Sequence, residues 1–241
     1  MMRALKMFCV LAVLFVLSSD LPAAERSKKY SFVLMGTYTS SSKLFPTPDA
    51  VLESARNLSL EFDDAFGLGF EIRRQLGGEN IEVGLGAEFL STSKTGLAAI
   101  PGGSPRTQLP VTDGFRFIPV ELSGYFIIPF SSETVKFFMG GGVGFYYGDR
   151  IYHVVNRVAQ TVENQVAFGI HVLTGLDYFV TRGISLRGEL KFRDPQFNMT
   201  SKFTDTDVEV DGRTYRLSQQ PFTSKVNLDG LVVTVGIALN F

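Results

Sequence analysis

The sequence predicts an all-β fold, an eight-stranded antiparallel up-and-down transmembrane β-barrel. Two observations carry this prediction: an N-terminal export signal, and eight segments of period-two hydrophobicity whose connections alternate between short and long. Composition agrees, since the 241-residue chain holds 24 glycines, 22 phenylalanines and 8 tyrosines, and aromatic residues suit a pleated surface. The 23 basic and 24 acidic side chains nearly balance, which gives no electrostatic reason to expect a nucleic-acid partner.

Residues 1–24 have the layout of a cleaved secretory signal peptide. A short basic region precedes the apolar run Met7–Leu17, and small residues follow as far as Ala24. The run is shorter than the roughly 20 residues of a transmembrane helix, which favours cleavage over the alternative of an uncleaved anchor. The only cysteine, Cys9, lies within it. The mature part, residues 25–241, is therefore expected to contain no disulfide, cysteine metal site or catalytic thiol.

Eight strands are predicted along the mature chain, each long enough to cross a bilayer at a tilt. No later segment holds the roughly 18 consecutive apolar residues of a membrane helix, so a membrane crossing requires a closed barrel, which satisfies every backbone polar group. The predicted strands are Tyr30–Ser40, Phe62–Gln75, Ile81–Thr92, Phe115–Phe130, Val135–Gly148, Gln165–Val180, Gly183–Arg193 and Val226–Phe241.

The connections between these strands alternate in length. Three are tight turns built from residues that tolerate positive φ or cap their own backbone, at 77–80, 131–134 and 181–183. Four are long and are predicted to be polar loops, at Ser41–Glu61, Ser93–Gly114, Asp149–Asn164 and Asp194–Lys225. Short turns at one end and long loops at the other are typical of transmembrane barrels.

The size of the lumen decides which strand face points inward. In the predicted strand Gly183–Arg193, Leu186 and Leu190 alternate with Arg187 and Glu189. The interior of an eight-stranded barrel has room only for side chains, so we expect bulky apolar residues outside and glycine and charges inside. The inward charges are either a pore lining or ion pairs that plug the lumen, and the plug is favoured because such barrels are generally filled. They are Glu71, Arg73, Glu82, Glu88, Glu121, Lys136, Asp177, Arg187, Glu189 and Lys191.

Two stretches, Phe117–Leu122 and Lys136–Gly148, resemble strands of the small outer-membrane β-barrel superfamily, the OmpA-, OmpX- and OmpW-like proteins. The terminal Phe241 is similar to the signal that the barrel-assembly machinery reads in that group. The resemblance implies a Gram-negative outer-membrane location, with both termini in the periplasm and four long loops outside. It also implies contacts with outer-membrane lipid and lipopolysaccharide, and with the assembly machinery and periplasmic chaperones during biogenesis.

Candidate chemistry is sparse. His171 is expected to point into the lumen and to be hydrogen-bonded by a neighbouring strand, whereas His153 falls in a long loop. Asp63 and Asp64 would suit an omptin-type protease rim, but adjacent strand residues face opposite ways and omptins have ten strands. No cofactor or metal is expected, and the protein is predicted not to be an enzyme.

An acidic stretch near the C-terminus is better interpreted as a hairpin than as a calcium loop, because Gly212 is not at the sixth position that such a loop requires. A tight turn at Asp211 and Gly212 is expected to extend the last two strands beyond the membrane and to offer edges to an extracellular protein. The favoured function is structural or adhesion-type. The alternatives are a small channel for ions or hydrophobic solutes, as the OmpW likeness implies, and a soluble periplasmic carrier of lipocalin shape.

Overall fold

The structure, a computed structural model, describes residues 29–76, 80–99, 108–132, 134–210, 212–228 and 230–241. The predicted signal peptide therefore lies outside the described residues, and so do the side chains of Asp63 and Asp64. No described helix is long and apolar enough to cross a membrane. The described elements are one short helix, α1 (Glu53–Arg56), and the strands β1 (Tyr30–Phe45), β2 (Leu60–Gln75), β3 (Ile81–Ala99), β4 (Gln108–Ile127), β5 (Val135–Val154), β6 (Arg157–Asn164), β7 (Ala167–Thr181), β8 (Ile184–Arg193), β9 (Gln196–Phe203), β10 (Asp207–Val210), β11 (Arg213–Arg216), β12 (Phe222–Asn227) and β13 (Gly230–Asn240).

Eight strands close into an antiparallel barrel, in the order β1, β2, β3, β4, β5, β7, β8, β13 and back to β1. The closing pairs are in regular register: Leu34 lies opposite Ile237 between β1 and β13, and Gly142 lies opposite His171 between β5 and β7. The predicted fold class is confirmed. We call this ring the lower barrel. Lys29, the first described residue, and Phe241 lie at the same end as the short connections, and we call this end the terminal rim.

A second ring stands on the first at the end with the long connections. The strands β1 to β5 continue upward, and β6, β9 and β12 pair with one another, with β5 and with β1. This upper ring is interrupted between β2 and β3, whose pairing stops at Gly67 and Leu90. Each of these short strands is separated from β7, β8 or β13 by two residues, at 165–166, 194–195 and 228–229. Pro195, which has no N–H to donate, lies in one of these breaks. We call this upper ring the collar.

The collar corrects the prediction of four long polar loops. Strands occupy much of those segments because the two-residue periodicity continues through them, with Phe197, Met199 and Phe203 of β9 all buried. Several predicted strand ends also move: β4 ends at Ile127, and Val226 belongs to β12 rather than to the last strand. The polar residues in these segments led to their assignment as loops, although they contain the strands of the upper ring.

The two faces of the lower barrel differ as predicted. On β8, Leu186 is 47% exposed on the outer face, whereas Arg187 beside it is 3% exposed in the lumen. The outer face of the lower barrel is a continuous apolar band, to which the aromatic residues Phe32, Phe66, Phe70, Phe89, Phe126, Phe137, Phe145, Phe168, Tyr178 and Phe192 contribute.

The predicted C-terminal hairpin is present as β10 and β11, with Gly212 at a φ of 72°, in the left-handed region that favours glycine. It forms a separate two-stranded sheet. The prediction that it extends the last two barrel strands is wrong, since β9 and β12 do this and the hairpin connects them at the top of the collar.

Candidate functional site

The centre of the lower barrel holds a network of buried ion pairs. Arg73 Nε donates to Glu71 Oε2 at 2.7 Å, and Arg73 Nη2 lies 3.2 Å from Glu189 Oε2. Across the lumen, Arg187 of β8 donates from Nε to Oδ1 of Asp177, on the adjacent strand β7, at 2.7 Å. Because buried charges need partners of opposite sign, this alternation allows the lumen to hold many ionised groups.

The same network continues upward through Lys191 and Arg193. Lys191 Nζ donates to Glu121 Oε2 at 2.7 Å and lies 3.4 Å from Glu88 Oε1. Arg193 bridges the same two carboxylates, at 3.0 Å from Glu88 Oε2 and 3.2 Å from Glu121 Oε1. The hydroxyl of Tyr146 also donates a hydrogen bond to Glu121, so that carboxylate accepts from Tyr146, Lys191 and Arg193.

Nine of the ten predicted lumen charges come together in this network. The other, Lys136, lies half-buried near the terminal rim, with Nζ 5.2 Å from the ring centre of Phe179. Glu82 is peripheral, at 4.0 Å from Arg73 Nη1. Arg193 belongs to the network although it was not among the predicted lumen charges. Its position on the charged face of β8 was the signal that could have found it.

His171 points into the lumen as predicted, and its Nε2 lies 2.8 Å from the Oγ of Ser123. Ser123 is on β4, one strand beyond the adjacent β5, and Nδ1 of His171 has no hydrogen-bond partner among the described residues, so the predicted hydrogen bond from a neighbouring strand is absent. The adjoining cavity, lined by Ser123, Glu121 and Glu189, has a volume of about 10 Å³. That volume suits about one water molecule and no organic substrate. Among the described residues, no cluster of His, Cys, Asp and Glu is arranged to hold a metal ion.

An aromatic stack closes the lumen above the charges. The ring of Phe117 lies between Tyr146 and Phe197, at 5.7 Å and 5.5 Å between ring centres, and both pairs are nearly parallel. The guanidinium carbon of Arg193 lies 5.4 Å from the centre of the Phe117 ring. The stack is part of a buried apolar cluster that also contains Leu44, Phe62, Ala65, Leu90, Phe115, Ala167, Met199, Val226 and Leu228.

The collar surrounds a large, partly open cavity above this stack, which we call the vestibule. Its volume is about 720 Å³. The walls come from β2, β3, β4, β5, β9 and β12 and from the segments beside them, and most lining side chains are apolar. The apolar lining residues are Pro46, Leu58, Leu60, Phe62, Leu97, Leu109, Val111, Tyr152, Val154, Phe203, Leu217, Pro221 and Phe222.

A buried ion pair lies at the base of the vestibule. Arg150 donates from Nε to Asp113 Oδ1 at 2.9 Å and from Nη2 to Asp113 Oδ2 at 2.6 Å. The rings of Tyr152 and Phe222 lie 4.4 Å and 5.4 Å from the guanidinium carbon. Tyr152 is in the collar, above the apolar band. Burial raises the pKa of its hydroxyl, Arg150 opposes the rise and Asp113 adds to it, so the hydroxyl is protonated at neutral pH.

Solved structures with the same architecture exist. Outer membrane protein OprG from Pseudomonas aeruginosa superposes with a TM-score of 0.56 at 14% sequence identity, covering 91% of this chain and 99% of that one. This chain has the fold of the small outer-membrane β-barrels. Neisserial surface protein A is also similar, with a TM-score of 0.48, 11% identity, and coverage of 88% of this chain and 97% of its own. No protein-family model and no curated protein matches the chain.

In this outer-membrane barrel fold, Phe241 follows the last strand at the terminal rim. Its backbone exchanges two 2.9 Å hydrogen bonds with Tyr30, and the two rings stack at 6.2 Å. The Phe241 side chain is exposed on the outer face, in line with the apolar positions of β13. Its role as an assembly signal stays a prediction.

Proposed function

We propose that this protein is a non-enzymatic outer-membrane barrel that binds a small apolar or amphipathic molecule in the vestibule. The observation that carries the proposal is the volume of about 720 Å³ behind a mostly apolar lining. Small-molecule sites have volumes of roughly 300–1,000 Å³ and apolar walls with a few placed polar groups. The vestibule meets this description, with Asp113 and Arg150 as the polar groups at its base.

The filled lumen supports binding rather than ion conduction. An ion moving along the axis would have to separate the aromatic rings of Phe117 and Tyr146 and then enter a lumen where cations such as Lys191 are already paired. Removing one partner from a buried pair costs about 3–5 kcal/mol. Of the OmpW-like alternative, we therefore keep the binding of hydrophobic solutes and not the conduction of ions. For the lumen charges, the interpretation as a plug is better supported than the interpretation as a pore lining.

The outer-membrane location is part of this proposal. The lower barrel presents exposed apolar side chains all round, including Leu68 at 72% and Ile170 at 73%. A contiguous band of that kind suits hydrocarbon and would make a soluble periplasmic carrier prone to association. The same geometry puts the vestibule outside the cell if the termini are periplasmic. Lipid, lipopolysaccharide and assembly-machinery contacts accompany this location as proposals.

Binding can be measured with a single tryptophan, because the chain contains none. Phe222→Trp places the reporter in the vestibule wall, and Phe168→Trp places it on the lipid-facing surface. With each variant in phosphatidylcholine nanodiscs, we expect bromododecanol to quench the Phe222→Trp fluorescence saturably, and at lower concentration than the Phe168→Trp fluorescence. Parallel, non-saturating quenching of the two reporters would contradict the proposal.

Two glycines supply a matched control for this measurement. A Cβ at Gly96, which lines the vestibule, meets no atom within 4 Å, and the same is true of Gly188, which faces outward on β8. Gly96→Phe should occupy part of the vestibule and weaken saturable quenching, whereas Gly188→Phe should leave it unchanged. Equal effects of the two substitutions would show that the quencher reports lipid partitioning.

An adhesion-type role is a second candidate, favoured by the hairpin of β10 and β11. The side chains of Asp207 and Arg216 are exposed and paired at 3.0 Å, while Val208 is buried against the collar. Arg157 fixes the base of the hairpin by donating to the carbonyl oxygen of Asp207 at 2.8 Å. A fixed two-stranded ribbon with exposed edges can bind an extracellular protein by strand addition.

A further inference from the structure

At the base of the vestibule, the guanidinium group of Arg150 has N–H donors that its contact with Asp113 does not use. Its contacts with Asp113 use Nε and Nη2, which lie on one edge of the planar guanidinium group. Nη1 lies on the other edge, and no described residue accepts a hydrogen bond from it. Arg150 lines the vestibule and its side chain is only 3% exposed, so a molecule in that cavity is the partner that can reach Nη1.

The position of the guanidinium group is well defined. The bidentate contact sets its plane, and the rings of Tyr152 and Phe222 lie within 4.4 Å and 5.4 Å of its central carbon. A donor that is already held by an anion and by aromatic rings loses little side-chain entropy when it binds a ligand. The base of the vestibule is therefore preorganised to bind an acceptor group.

The charged residues that line the vestibule are two acids, Glu61 and Asp113, and two bases, Lys94 and Arg150, and each acid lies beside a cation. Both oxygens of Asp113 are occupied by Arg150, on the side away from Nη1. Lys94, directly opposite Asp113 in the pairing of β3 with β4, also lines the cavity and donates to the backbone oxygen of Glu61 at 2.6 Å. The Glu61 side chain, 62% exposed, lies 3.7 Å from Lys43.

We propose that the ligand is an acidic amphiphile, with a carboxylate head hydrogen-bonded to Nη1 of Arg150 and an apolar chain along the vestibule walls. This inference rests on the proposed function, since it specifies the ligand of the same cavity. The tail is bound by Leu109, Val111 and Phe203, which give the cavity its apolar walls. The head group is selected by a charge-assisted hydrogen bond, which is stronger than one to a neutral acceptor.

The test compares three head groups on one tail with the Phe222→Trp reporter in nanodiscs, at a pH where the carboxyl group is ionised. The probes are bromododecanoate, bromododecanol and bromododecyltrimethylammonium, each corrected for the quenching seen with Phe168→Trp. We expect half-saturation by the carboxylate at about tenfold lower concentration than by the alcohol, with the quaternary ammonium weakest.

A double variant separates head-group selection from general stability. Arg150→Met combined with Asp113→Leu removes both charges together, so neither is left buried and unpaired. It should lose the preference for the carboxylate, so that bromododecanoate and bromododecanol then reach half-saturation at similar concentrations, whatever the change in their common affinity. Retention of that preference, or equal half-saturation by all three probes in the parent, would overturn the carboxylate assignment and leave the proposed function standing. Absence of saturable quenching by all three probes would overturn both.

Discussion

The lower barrel and the collar share five continuous strands but have opposite interiors. On β4, the inward residues at the centre of the lower barrel are polar, Glu121 and Ser123, above an apolar floor that includes Ile127. The inward residues of the collar are mostly apolar, such as Leu109, with Asp113 as the buried charge. The outer face changes in the opposite sense: Leu122 is 50% exposed in the lower barrel, and Arg116, 54% exposed, forms a 3.9 Å ion pair with Asp149 higher up.

This reversal follows from what surrounds each ring. Hydrocarbon accepts apolar side chains but leaves charges unsolvated, so the charges of a membrane-spanning ring must lie inside and pair there. Water solvates charges, so a ring that projects into it can bury apolar side chains, as a soluble barrel does. The same two-residue periodicity therefore gives a filled lumen in one ring and an apolar vestibule in the other.

The largest expected effect comes from breaking the lumen network. Lys191→Met leaves Glu88, Glu121 and Glu189 without one of their shared cations while preserving most of the side-chain volume. We expect the free energy of unfolding to fall by about 3–5 kcal/mol, because uncompensated charges then stay buried. Urea unfolding in lipid, followed by the shift in gel mobility between folded and unfolded barrel, measures this change.

The matched control is Arg216→Met, which removes a cation of the collar hairpin whose side chain is 80% exposed. Exposed pairs contribute about 0–1 kcal/mol, so its unfolding curve should nearly overlay that of the parent. A small effect of Lys191→Met, comparable to that of Arg216→Met, would show that the lumen is hydrated rather than closed.

The architecture of the lower barrel was predictable because lipid imposes a strict pattern on each strand. The alternation of Leu186 and Arg187 identified the inward face, and lumen size decided its orientation. Most of the ionic network followed from these two arguments. The individual pairings did not, since Lys191 and Glu121 are 70 positions apart and meet only through the closure of the barrel.

The vestibule could not be predicted in the same way. Its walls bring Leu109, Phe203 and Phe222 together from three strands that lie within two of the predicted long loops. Polar residues such as Asp205 and Gln220 interrupt these segments, which hides strands as short as β12 from any count of periodicity. The collar strands are recognisable only once their pairing partners are known.

A smaller effect on stability is expected from shortening the hairpin, which would sharpen the contrast between the filled ring and the water-exposed one. Replacing residues 209–214 with a Gly-Gly turn should change the free energy of unfolding by less than about 1 kcal/mol, because most of these side chains are exposed. If the hairpin binds an extracellular protein, the variant should lose adhesion to a panel of immobilised matrix proteins. Undiminished adhesion would exclude the hairpin as the binding element.

The most direct test of the polarity reversal is fluorescence quenching by phospholipids brominated on their acyl chains. Single tryptophans would be placed on the lower barrel exterior (Phe168→Trp), on the collar exterior (Ser93→Trp) and in the vestibule (Phe222→Trp). We predict strong quenching of the first and little of the other two, since only the lower barrel contacts hydrocarbon. Equal quenching at all three positions would contradict the division of the molecule into a lipid-embedded ring and a water-exposed collar.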